Sequence, residues 1–176
     1  LASTDVEVYN NTISDHDTLS IAITSYILAE NNLLNPDPDT GGWHEFGETI
    51  QKGWQPVMRN INVHDNTISN SGGNPRGALL DDIIAGYSMY YGRMPAIIYD
   101  GLGELMANSG AAEPITGAPF GDGDYICASD NGDVGYGQVF GTDPEDPANG
   151  LATPPHKPEP TLHYEVAQSA LFDCSG

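Results

Sequence analysis

Apolar and polar residues alternate in two short runs of the chain, VEVYNNTIS from Val6 to Ser14 and INVHDNTIS from Ile61 to Ser69. Val6 and Val8, like Ile61 and Val63, take every second position between polar neighbours, a period that predicts a short strand with one buried face. Each run then reaches Asn-Asn or Asp-Asn, residues that tolerate the left-handed backbone of a sharp corner, and resumes with an apolar residue at Ile13 or Ile68. The unit is strand, corner, strand. The copies VYNNTIS and VHDNTIS lie 55 residues apart and agree at five of seven positions. A looser third copy, YICASDNGDV, puts Ile126 and Ala128 on inward positions and Asn131 on the corner, making Asn11, Asn66 and Asn131 equivalent.

No single unit buries its own apolar face, so the repeat predicts a solenoid in which each coil covers the one before. Stacked corner asparagines would then lie about 4.7–4.9 Å apart and hydrogen-bond as a ladder. An antiparallel sandwich is the competing arrangement, and it offers no reason for Asn to recur at one corner.

The order VEVYNNTIS, LSIAITSY, PVMRNINVHDNTISNSGGNP, MPAIIYDG, YICASDNGD and a terminal FDCSG resembles the carboxy-terminal half of a family of secreted bacterial parallel β-helix repeat-containing proteins. The resemblance covers most of the chain, with the stretches 32–55 and 141–161 individual to it. It implies an all-β, right-handed parallel β-helix with loop insertions. It also implies a secreted, periplasmic or cell-surface location in a bacterium. The family has no assigned activity, and its members are often encoded beside a secreted c-type haem protein, which makes such a protein a candidate partner. This chain lacks Cys-x-x-Cys-His and cannot attach haem c itself.

On this frame residues 1–140 form the coils, with insertions at about 31–56 and 71–95, and residues 141–176 form a Pro-rich tail packed back on the last coils. The first insertion is irregular by its Pro, Asp and Gly content. Its Trp43 and Trp54 read either as sugar-stacking platforms or as anchors of the loop. The second carries Leu79, Leu80, Ile83, Ile84 and Tyr87 at helix-like spacing, which Gly86 and Gly92 weaken, so a short helix and a strand both fit. The chain enters a strand almost at once, without signal peptide or capping element. It reads as a carboxy-terminal segment whose earlier coils come from further residues of the same protein.

Twenty-five acidic and five basic residues give a formal charge of −20, which argues against nucleic acid or an anionic membrane surface as partner. Cys127 falls on the outward position of Glu7, and Cys174 lies near the end of the chain. In a protein of secreted character this pair reads as a disulfide pinning the tail, with two free cytosolic thiols as the alternative.

Catalysis on an acidic polysaccharide by a lyase or epimerase needs a base and cations to neutralise the uronate. The chain offers only Lys52, Arg59, Arg76, Arg93 and Lys157. Arg59, His64 and Asp65 are the grouping to test as acid and base, against solvent-facing residues on a coil. The turns at Asp122, Asp124, Asp130 and Asp133 present oxygens suited to Ca²⁺, although Asp-Gly turns without metal look the same. No other cofactor is expected. The scarcity of catalytic candidates favours a non-catalytic structural or binding module for a partner protein or a glycan, with a carbohydrate-active enzyme as the alternative.

Overall fold

A computed structural model describes residues 3–25, 58–77, 81–101, 126–139 and 163–166, the last four as backbone. Asp5, Asn10, Asp15, Asn60, Asp65, Asn70 and Asp130 all take positive φ, between 52° and 62°. Asn and Asp enter this region at low cost because their short side chains bond locally. They recur every five residues within each repeat, so no extended run grows long.

The strands that result are β1 (Thr4–Tyr9), β2 (Thr12–His16), β3 (Ile21–Ile23), β4 (Arg59–His64), β5 (Thr67–Ser71), β6 (Ile97–Tyr99), β7 (Ile126–Ser129), β8 (Gly135–Gln138) and β9 (His163–Val166). They pair in three small sheets, β1-β4-β7, β2-β5 and β3-β6-β8-β9. All pairings are parallel except β8 with β9. The register sets Val6 beside Ile61 and Ile61 beside Ile126, then Val8 beside Val63 and Val63 beside Ala128.

These columns form the core. Ile61, Val63, Ile68, Ile97, Tyr99 and Ala128 are buried, and Val6, Val8, Ile13 and Ile21 pack against them part-buried. On the other face of the third sheet Ile98 joins Tyr87, Met94 and Val139 in a second cluster. Helix α1 (Asp81–Tyr91) supplies Tyr87 to it, and Asp81 and Asp82 lie in the helix's first turn, where negative charge is favoured.

The expectation of an all-β, right-handed parallel β-helix with a disulfide-pinned tail is corrected here. The described residues form three separate sheets of three, two and four strands, with an 11-residue α-helix on one of them and a closing antiparallel strand; no continuous solenoid is found. The helix forms because Ile83, Ile84 and Tyr87 share a face that the third sheet covers, which overrides the weakening by Gly86. Cys127 keeps the register position of Asn62, yet it is only 6% exposed rather than on the surface. It is not a free thiol, while Cys174 lies outside the described residues, so a pinned tail is not part of the described structure.

Candidate functional site

The corner asparagines bond in a row. Asn11 donates its backbone N–H and its Nδ2 to Asn66 Oδ1, each at 3.0 Å, and Asn66 Nδ2 donates to Asn131 Oδ1 at 2.7 Å. Asn66 Nδ2 also reaches the carbonyls of Val8 and His64 at 3.0 Å, and Asn131 Nδ2 that of Val63 at 2.9 Å. Asn66 and Asn131 are 3% and 0% exposed, so this row satisfies backbone groups that water cannot reach. Asn60 Nδ2 donates to Asp5 Oδ1 at 3.0 Å and Asn70 Nδ2 to Asp15 Oδ1 at 2.8 Å, two further side-chain pairs. Both escaped the sequence reading, although the same 55-residue offset with Asx at each end was there to see.

On the outer face of the first sheet, Glu7, Tyr9 and His64 come together because β1 and β4 pair Glu7 with Asn62 and Tyr9 with His64. His64 Nε2 lies 2.9 Å from Glu7 Oε1 and Nδ1 lies 2.7 Å from Asp65 Oδ2. The Asp65 carboxylate first, then that of Glu7, hold the protonated ring and raise its pKa above the usual 6.5. Tyr9, 50% exposed, stacks on the imidazole with centroids 5.4 Å apart and planes 4° from parallel. Beside them Asn62 Oδ1 is buried and accepts no hydrogen bond.

Of the acid–base grouping, the fold joins His64 and Asp65 but not Arg59. Arg59 and His64 stand at opposite ends of β4, about 16 Å apart at the rise of a strand. Glu7 and Tyr9, which sequence reasoning left out, complete the cluster instead. Asp130 sits at a positive-φ corner, and Asp122, Asp124, Trp43 and Trp54 lie outside the described residues. Among the described residues no group of three or more His, Cys, Asp or Glu could hold a metal ion, and no helix is long and apolar enough to cross a membrane. A separate open cleft of about 650 Å³ runs between Asp15, His16 and Asp17, the end of β5, and Arg93 after the helix. There Asn70 chiefly, with Ser14, holds the Asp15 carboxyl below its usual pKa.

No family model matches the chain, and neither does any curated protein or solved structure.

Proposed function

We propose that this chain is a non-catalytic binding module that takes a glycan on the outer face of its first sheet. The observation that carries the reading is the clamped histidine: both ring nitrogens of His64 engage carboxylates. With carboxylates 2.7 and 2.9 Å from its two ring nitrogens, His64 presents neither nitrogen freely to a substrate, and Arg59 stands at the far end of β4. What the cluster offers is recognition. A half-exposed tyrosine ring gives a flat apolar platform for a sugar face, while the exposed carboxylates of Glu7 and Asp65 accept from hydroxyls.

The charge of −20 makes neutral or amino-sugar chains the fitting class and works against uronates. The same charge favours, as a second reading, a basic partner protein such as a c-type haem protein docking on this face. An extracytoplasmic setting belongs to the proposal and is supported by the acidic composition.

Titration calorimetry with neutral, amino-sugar and uronate oligosaccharides tests the reading. Binding of the first two classes is expected, weakened roughly tenfold or more in Tyr9→Ala through loss of stacking. Absence of binding by every class, or release of unsaturated or reducing ends during incubation, would overturn it.

A further inference from the structure

The corner asparagines of the three repeats are followed by different residues, Asn11 by Thr12, Asn66 by Thr67 and Asn131 by Gly132. That difference is chemical as well as conformational. The side-chain amide of asparagine is open to attack by the backbone nitrogen of the next residue; a β-branched neighbour hinders the approach, whereas glycine, with no Cβ, leaves the nitrogen clear. Among the described asparagines only Asn131 precedes a glycine. The corner itself requires that glycine, because residue 132 takes a φ of +87°.

The fold holds this amide at both of its ends. Asn131 is 0% exposed, and its Nδ2 donates to the Val63 carbonyl at 2.9 Å and reaches the Tyr136 hydroxyl at 3.4 Å. Its Oδ1 accepts from the Asn66 backbone N–H at 3.4 Å and from Asn66 Nδ2 at 2.7 Å. Gly132 is tied as well, its carbonyl accepting from the Val134 N–H at 3.0 Å. Ring closure requires Asn131 Cγ to swing onto the Gly132 nitrogen, which breaks the side chain's bonds, and water must then enter. Both events require the corner to open.

We infer that Asn131-Gly132 is a latent self-modification site, which the closed corner keeps as an amide and which converts to aspartate or isoaspartate when the corner opens. The Gly132 nitrogen bonds to Asn131 Cγ as the Cγ–Nδ2 bond breaks, and the nitrogen's proton leaves with Nδ2 as ammonia. Water then opens the cyclic imide at either carbonyl. The step runs one way. A carboxylate at this position sets an acceptor against the Val63 carbonyl, where Nδ2 had donated, and places a negative charge where water does not reach. Isoaspartate also adds a methylene to the backbone between β7 and β8. The asparagine row thereby loses its most buried member, and a chain that has opened carries a covalent record of it. The inference does not depend on the glycan reading, which concerns the outer face of the first sheet.

Peptide mapping by mass spectrometry after incubation at mildly alkaline pH, with and without denaturing urea, tests this. The sequence supplies its own reference in Asn149-Gly150, the same pair outside the described residues. In urea both pairs should convert at similar rates while Asn11 and Asn66, each before threonine, lag behind; Gly132→Ala should slow conversion at residue 131 and leave residue 149 unchanged. In buffer, conversion at Asn131 should be slower than in urea by roughly tenfold or more, since it awaits opening. Asn131→Asp should lower the melting temperature more than Asn149→Asp does. Conversion at Asn131 as fast in buffer as in urea, conversion in urea at Asn149 but not at Asn131, or equal melting of the two aspartate variants would each overturn the inference.

Discussion

Asn66 contacts more of the molecule than any other corner residue described here, bonding to Asn11, Asn131 and the carbonyls of Val8 and His64. Asn66→Ala removes a buried partner from each, which should cost about 1–3 kcal/mol in urea denaturation, against less than about 1 kcal/mol for Asn11→Ala at the exposed end. Equal effects would remove the case for the row as a structural device. His64 makes a second prediction at this scale. Its folded pKa is raised above the unfolded value, so its tie to Glu7 and Asp65 contributes fully below about pH 6.5 and is lost as pH rises through the folded pKa. The melting difference between the native chain and His64→Gln should accordingly shrink with rising pH. In an NMR titration of the ring, Asp65→Asn should lower the pKa more than Glu7→Gln, following the order of the two causes.

Between elements, the tightest fit is helix α1 on the third sheet. Tyr87, 0% exposed, donates its hydroxyl to the Gln138 carbonyl at 2.9 Å, and burial pushes that hydroxyl's pKa well up. A Cβ at Gly137 would lie 2.5 Å from Pro95 Cγ and 2.6 Å from the Tyr87 hydroxyl, so this strand position needs a residue without a side chain. Gly137→Ala should destabilise by about 1–3 kcal/mol through overpacking and speed hydrogen exchange in α1. Tyr87→Phe, which keeps the ring and loses the bond, should cost about 1 kcal/mol in the same assay. If Gly137→Ala leaves helix exchange unchanged, the helix is not held by this contact.

For the molecule as a whole, a charge of −20 implies self-repulsion in the folded state. Raising ionic strength from about 0.01 to about 1 M shortens the Debye length from about 30 to about 3 Å and should raise the melting temperature. A fall would mean that surface ion pairs such as Arg76–Asp17, at 3.6 Å, outweigh the repulsion. The sequence by itself determined what depends on a few adjacent residues. The period-two runs of β1 and β4 follow from alternation, and the corners at Asn10-Asn11 and Asp65-Asn66 from the left-handed tolerance of Asn and Asp. The 55-residue offset then showed which residues correspond. It did not reveal whether residues 81–91 form helix or strand, because Gly86 and the apolar spacing pull opposite ways until the third sheet covers one face. Nor did it assemble the clamp on His64, whose partner Glu7 is 57 residues away. The burial of Cys127 at a position that alternation marks as outward was likewise decided in three dimensions. Backbone preference is a local property, whereas burial and the partners of a charged group depend on what distant segments bring beside them.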